Sequence, residues 1–385
     1  MALQPCKTMS PSTTASEQWW KSAISLHTTI LTLRGHLHTL YLFTAADFPT
    51  FAIPTLLFAI CGALSGPLLT TNPSPSFVSI LSRTPSALVV VWTNLLIFNM
   101  SNQRSPSSIA EDAINKPNRP LPRGLITPEA TRRILLALVP AVLLLGWTFG
   151  VWQETLFLFT FQWLYNDLAG CDESFVLRNL LIAVGYGLYS SAAFRVLVGG
   201  SHTLTQAGVR WTGIVALVML ITQHICDIKD AAGDRLRGRR SAPIVLGDEM
   251  VRWSVSVPIM VCSVLCPWYF GLGWKSYVSV MGIGGVVAGR TMVWRDLASD
   301  KLTWKLWAFW TVALFVLPVV ASPVVLDGAW TSMSILLCGG DECLSTLNLL
   351  AVSGVVGIVE GRRLYGQVGR ANDTVPRIVI DAVVS

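Results

Sequence analysis

The sequence predicts an all-α fold, a polytopic membrane helical bundle of about nine transmembrane helices, on three observations. First, its 385 residues are 52% hydrophobic and only 13% charged, with a mean hydropathy of +0.56, and no water-exposed surface could be built from such a chain. Second, long stretches such as 134–153 and 182–194 carry no charge at all. A crossing takes about 20 largely apolar residues, so nine would take about 180, which the hydrophobic share supplies. Third, the 28 Lys and Arg against 22 Asp and Glu, a net charge of +6, fall mainly in alternate connections. A coiled coil, a disordered chain and a nucleic-acid-binding domain all fit this composition poorly, and neither a nucleic-acid partner nor a protein partner is inferred. The partner implied is the lipid bilayer.

Residues 1–20 are polar and rich in Ser and Thr, without an apolar run or a small-residue cleavage site, and read as a disordered cytosolic tail. Residues 21–46, amphipathic with Arg34, His27, His36 and His38, read as a helix lying along the interface. No carboxylate accompanies these histidines, so they make a poor metal site. Apolar windows then place spans at 48–69, 84–100, 133–150, 153–168, 175–198, 211–226, 251–270, 277–294 and 306–320, closing a transmembrane domain over 21–322. The tail 323–385 is of uncertain structure; 344–358 is short and Gly-rich. The eight cysteines form no CxxC pair or zinc spacing; Cys262 and Cys266 read as packing residues, and Cys338 with Cys343 as a possible small disulfide.

Charge asymmetry orients the bundle. The connection after the second span carries Arg104, Lys116, Arg119, Arg123 and Arg132, and the one after the sixth carries Lys229, Arg235, Arg237, Arg239 and Arg240. Four spans separate them, so both face one side, and the positive-inside rule makes that side cytosolic. By the same parity an acidic connection with Asp167, Asp172 and Glu173 faces the cytosol as well. In a eukaryotic cell this describes a multi-pass protein of the endoplasmic reticulum.

Chemistry concentrates in two segments on that side. Asp227, Asp230 and Asp234 run directly off an apolar helix, and spacings of three and seven put them on one helical face. Three like charges there repel unless cations sit between them, and Mg²⁺ held by carboxylates plus substrate phosphates is the usual resolution. Arg237, Arg239 and Arg240 follow as phosphate-pairing guanidiniums. Contact with lipid headgroups would explain the arginines but not the ordered acids. The second segment begins at Asn102, passes Glu111, Asp112 and Asn115, and reaches Lys116 and Arg119 among prolines 117, 120 and 122, which stop any helix and place both bases over a mouth.

These residues resemble the UbiA superfamily of intramembrane prenyltransferases over roughly 41–320. That superfamily carries an N-D-x-x-D-x-x-x-D motif followed by R-P-x-P-x-G, and a D-x-x-D-x-x-G-D motif followed by G-R-R-x-x-P. Asp112, Arg119, Pro120, Pro122 and Gly124 match the end of the first; Asp227, Asp230, Gly233, Asp234, Gly238, Arg239, Arg240 and Pro243 match the second. The first motif departs from the pattern: its other acids would fall on Ser105 and Ser108, and Asn102 aligns only with a two-residue insertion. This version is similar to the terpenoid-pathway branch that includes membrane-bound terpene cyclases, with Tyr165, Asn166, Asp167 and Asp172 as further marks and possible additional site residues.

The resemblance implies two Mg²⁺ ions holding a prenyl diphosphate, farnesyl or geranylgeranyl. Asn102, Glu111, Asp112, Asp227, Asp230 and Asp234 are the implied metal ligands, with Asp112, Asp227, Asp230 and Asp234 catalytic. Asn102, Lys116, Arg119, Lys229, Arg239 and Arg240 are implied at the diphosphate. The expected reaction ionises the diphosphate and cyclises the cation to a terpene, with Trp92, Trp163 and Trp307 as candidate ring faces. Transfer of the prenyl group to an aromatic acceptor shares the ionising step and stays open. A transporter would bury its charges at mid-span rather than at one membrane face.

Overall fold

The computed structural model describes residues 34–322; the terminal tails, with Cys338, Cys343 and residues 344–358, lie outside the described residues. The chain opens with α1 (Arg34–Thr44), which meets α2 at a bend of 58°. The bend follows Asp47, where a π-helical turn at Phe48–Ala52 containing Pro49 leads into the regular helix Ile53–Leu64, together forming α2 (Phe48–Leu64). The interfacial helix predicted over 21–46 is thus, in its described part, the first limb of a bent pair.

The chain continues through α3 (Phe77–Gln103), α4 (Pro106–Asn115), α5 (Pro128–Thr148), α6 (Trp152–Asn166) and the single turn α7 (Gly170–Glu173). There follow α8 (Phe175–Val198), α9 (Gln206–Thr222), α10 (Ile225–Ile228), α11 (Ala231–Arg237), α12 (Ala242–Tyr269), α13 (Trp274–Val293) and α14 (Leu297–Ala321). All nine predicted apolar windows lie on helices. Among the described residues, six helices are long and apolar enough to cross a bilayer, and a seventh if α1 and α2 form one broken span; α6 and α13 fall outside that set. The fold is therefore an all-helical membrane bundle with at least six candidate crossings among the described helices.

Helix starts follow capping chemistry. Ser76, Ser105, Thr127, Ser174 and Thr205 each accept a hydrogen bond from the amide three residues on, satisfying one of the free first-turn donors of α3, α4, α5, α8 and α9. α8 is the central helix, packed against α2, α3, α6 and α9. Gly62 lets α2 approach it: a Cβ there would strike the Phe194 ring at 2.6 Å. Phe58 meets Phe194 and Phe315 edge to face, at 5.9 and 5.3 Å between centroids, joining α2, α8 and α14. Outward, Leu136, Leu144, Trp147, Val257 and Val278 are exposed, the apolar exterior that lipid covers. The short helices α4 and α11 pack on each other beyond the ends of the spans, bringing the two charged segments together.

Candidate active site

The three aspartates do not share one helix. α9 ends at Thr222, and the backbone then forms two short helices broken at Lys229 and Asp230, so Asp227 sits on α10, Asp230 immediately precedes α11 and Asp234 lies within it. Their mutual repulsion is answered by bases. Arg178 Nη2 donates to Asp227 at 2.8 Å, Lys229 Nζ to Asp230 at 2.7 Å, and Arg239 Nη1 to Asp234 at 3.1 Å. Lys116 stands 3.7 Å from Asp230. Burial alone would raise the pKa of Asp230, but Lys116 and Lys229 outweigh it and hold that carboxyl down at about 2. Asp234 goes the other way: burial, and then the charge of Asp227, push its pKa up.

The acids of the first segment also face arginines. Arg119 Nη1 lies 2.9 Å from both Asp112 oxygens, with Asp47 3.6 Å away on its other nitrogen. Burial raises the Asp112 pKa despite that partner. Glu111 receives Arg239 at 2.9 Å and Arg237 at 3.1 Å, and Asp172 receives the same two arginines at 2.9 and 2.8 Å. The result is a buried network that ties α4, α7 and α11 into one charged plate.

Beneath the plate lies a cavity with an empty volume of about 1030 Å³, part of it open to solvent. Its mouth is formed by Asp47, Asn102, Glu111, Lys116, Arg119, Arg178, Asp230, Asp234 and Arg239. Its body is apolar and aromatic: Phe51, Leu95, Phe98, Leu158, Phe161, Leu181, Ile182, Tyr186 and Tyr189. Tyr165 stands between the two, its hydroxyl accepting from Arg178 at 2.6 Å.

Against this geometry, the sequence pattern of the UbiA prenyltransferase family matches residues 52–313. The chain belongs to that family. It is accordingly an enzyme of the UbiA type. The chain is 26% identical over 294 residues to the fumagillin beta-trans-bergamotene synthase of Aspergillus fumigatus, covering 74% of this chain and 92% of the relative. It is 25% identical to the somaliensene A/B synthase of Streptomyces somaliensis, covering 74% and 93%. These names put it with the terpenoid branch of the family. A solved digeranylgeranylglyceryl phosphate synthase superposes with a TM-score of 0.51 at 17% identity, over 74% of this chain and 98% of that one, a likeness of fold alone.

Of the residues singled out from the sequence of this UbiA-family enzyme, Asn102, Glu111, Lys116, Arg119, Tyr165, Asp230, Asp234 and Arg239 line the cavity. Asp112 and Asp227 stand directly behind it, holding Arg119 and Arg178. Lys229 packs over the Trp304 ring at 4.4 Å, Arg240 is exposed, and Asp167 pairs with Arg104 away from the cavity. Asn166 accepts from Asn102 at 3.0 Å, and Asp172 serves the two arginines.

None of the three proposed tryptophans lines the cavity. Trp163 is exposed, while Trp92 and Trp307 donate to Thr44 and Thr222. The ring faces come instead from phenylalanine and tyrosine. Sequence reasoning missed Arg178 and Asp47 at the mouth, although for Arg178 a charged side chain in a largely apolar window was a signal that could have found it.

A divalent metal fits the donor set. Asp227 Oδ2 and Asp234 Oδ2 are buried without a hydrogen-bond partner, leaving two carboxylate oxygens available to a hard cation. Among the described residues no three His, Cys, Asp or Glu side chains are grouped to hold a metal by themselves.

Proposed function

We propose that the enzyme binds farnesyl or geranylgeranyl diphosphate with the diphosphate at the charged mouth, ionises it, and cyclises the resulting cation to a terpene. The observation that carries this reading is the division of one cavity into a mouth of four bases, Lys116, Arg119, Arg178 and Arg239, and an apolar body walled by aromatic rings. Names of relatives support it, since the two described above match over nine-tenths of their length and are called synthases of terpenes.

Asp227 and Asp234, with Asp230 and Asn102 beside them, would hold Mg²⁺, which would neutralise charge on the diphosphate as a Lewis acid. The chain's own residues do the rest. Lys116 and Arg119 clamp the diphosphate oxygens and stabilise the negative charge that builds there as the bond from carbon to oxygen breaks. Glu111 and Asp172 hold Arg239 in place, so its guanidinium costs no reorganisation at the moment of reaction. Phe51, Phe98, Phe161 and Tyr186 fold the chain, exclude water that would quench the cation, and present ring faces to it. Cyclisation then needs only an internal double bond brought within reach.

The second reading is transfer of the prenyl group to an acceptor. It is favoured by a 31% identity over 208 residues to the digeranylgeranylglyceryl phosphate synthase of Natronomonas pharaonis, over 69% of that relative. Transport is a poorer reading because the charges gather at one end of the bundle. The deciding experiment supplies membranes holding the enzyme with each diphosphate and no acceptor, followed by mass spectrometry. A cyclic hydrocarbon or terpene alcohol is expected. Diphosphate consumption that depends on an added hydroxybenzoate or quinol, with no cyclic product, would overturn cyclisation.

A further inference from the structure

Four buried side-chain atoms on cavity-lining residues lack a hydrogen-bond partner among the described residues: Arg119 Nε, Arg178 Nε, Asp234 Oδ2 and Gln162 Oε1. Three belong to the charged mouth, where a bound diphosphate and metal would satisfy them. Gln162 does not. It lies on α6 three residues before Tyr165, about 4.5 Å of helix rise farther from the mouth, and only 6% of it is exposed. Its neighbours in the cavity body are Leu158, Phe161, Tyr186 and Tyr189.

The orientation of the amide is fixed by its partners. Nε2 donates to the Asn94 carbonyl at 3.4 Å and to the Tyr189 hydroxyl at 3.4 Å. The Asn94 carbonyl can only accept, so the nitrogen must face it and Oε1 must face elsewhere. The other amide in this part of the cavity, Asn99, is engaged at both ends: its Nδ2 donates to Leu95 and its Oδ1 accepts from Gln103. A buried carbonyl without a donor, on a residue that lines an apolar chamber, costs stability and calls for a function.

Resting on the reading that a prenyl cation forms in this cavity, we propose that Gln162 Oε1 is the station at which positive charge is held within the prenyl chain, making Gln162 a specificity-determining residue. An amide oxygen presents the negative end of a fixed dipole. In a chamber emptied of water, that dipole favours those cations that place their charge beside it. The aromatic walls stabilise charge wherever it travels; the oxygen favours one place. Charge held there directs which double bond attacks next and which proton is lost.

The test is binding of a prenyl diphosphate analogue carrying a tertiary amine in its chain, protonated at neutral pH, against its neutral all-carbon counterpart. It uses the full chain in lipid nanodiscs. Wild type should prefer the ammonium analogue, and Gln162→Met should lose about tenfold of that preference while binding the neutral analogue as before, the size expected for one hydrogen bond or dipole acting on a charge. Gln162→Glu, which keeps the volume and adds charge, should strengthen the preference, and this variant stands if Gln162→Met does not fold. An unchanged ratio in both variants overturns the proposal. Products from the natural diphosphates give a separate readout, in which Gln162→Met should change the ratio of cyclic products. Absence of any cyclic product from wild type would defeat the cyclase reading alone, and the binding ratio would still judge Gln162.

Discussion

Asn115 and Gly233 clasp the two charged segments to each other. Asn115 Oδ1 accepts from the Gly233 amide at 3.2 Å while its Nδ2 donates to the Asp230 carbonyl at 2.9 Å. The end of α4 is thereby fixed to the backbone that carries Asp230 and Asp234. The mouth of the cavity draws residues from both segments, so its geometry depends on this contact. It also explains a glycine in the middle of a short helix, where propensity disfavours one.

A side chain at position 233 should therefore break the mouth. A Cβ built there comes within 2.6 Å of Asn115 Cγ, so Gly233→Ala must displace the Asn115 side chain from its clasp or push α4 and α11 apart. Overpacking of this kind costs on the order of 1–3 kcal/mol, and displacement of the mouth should cost far more in turnover than in stability. Asn115→Ala alone should cost about 1 kcal/mol through lost hydrogen bonds. The double variant should be less damaged than the sum of the two, since one change makes room for the other. Thermal unfolding in detergent measures this coupling, and strict additivity would show that the clash does not occur.

Asp234 should cost the empty enzyme stability. Its carboxyl is raised by burial and by Asp227, so the folded protein binds that proton more readily than the unfolded chain. In the window between about 4, the unfolded value, and the raised folded value, stability falls as pH rises, and the penalty is complete above that window. Asp234→Asn should raise the melting temperature of the metal-free enzyme at pH 7 while lowering turnover at least about a hundredfold. A melting temperature that falls would mean that the Arg239 pair outweighs burial.

Much of this was readable from the residues, and the failures share a cause. Each apolar window became a helix because lipid-facing segments must satisfy their own backbone. The acids at 227, 230 and 234 stood out because charge directly off an apolar helix is costly without a purpose. Which way a helix is rotated was not readable: helices apolar on all sides carry no stripe to say which face turns inward. That is why three tryptophans were favoured where Phe51, Phe98, Phe161, Tyr186 and Tyr189 line the cavity. Asp230 and Asp234 have partners close by in Lys229 and Arg239, but Arg178, the partner of Asp227, lies 49 positions away, so the local cluster looked unbalanced when it is not. The break at Lys229 and Asp230 likewise carries no Gly or Pro to announce it.

The orientation expected from the basic connections can be tested at exposed positions. Cys171 is buried, so labelling of native thiols reports poorly there. Glu129 is exposed beside Arg132 and Arg133 at the charged end, and Ser201 is exposed in the connection between α8 and α9 at the other. With the eight native cysteines replaced, Glu129→Cys should react with an impermeant maleimide from the cytosolic side and Ser201→Cys from the opposite side. Reaction of both from one side would require a different number of crossings between them.

Arg178 and a divalent cation should substitute for one another at Asp227. The Asp227 side chain is 2% exposed and its one hydrogen-bonded base is Arg178, whose other nitrogen donates to Tyr165. Removing one partner of a buried ion pair leaves an uncompensated charge, at a cost of about 3–5 kcal/mol. Arg178→Met should therefore unfold at a clearly lower temperature than wild type in EDTA. Millimolar Mg²⁺ should recover part of the loss, because Asp227 Oδ2 and Asp234 Oδ2 already stand without donors. Wild type, with its charges balanced by arginines, should gain less from the same addition. Turnover should vanish in EDTA for both. Equal stability of the two proteins in EDTA would mean that Asp227 is not held as a buried carboxylate, and full turnover in EDTA would remove the metal from the reaction altogether.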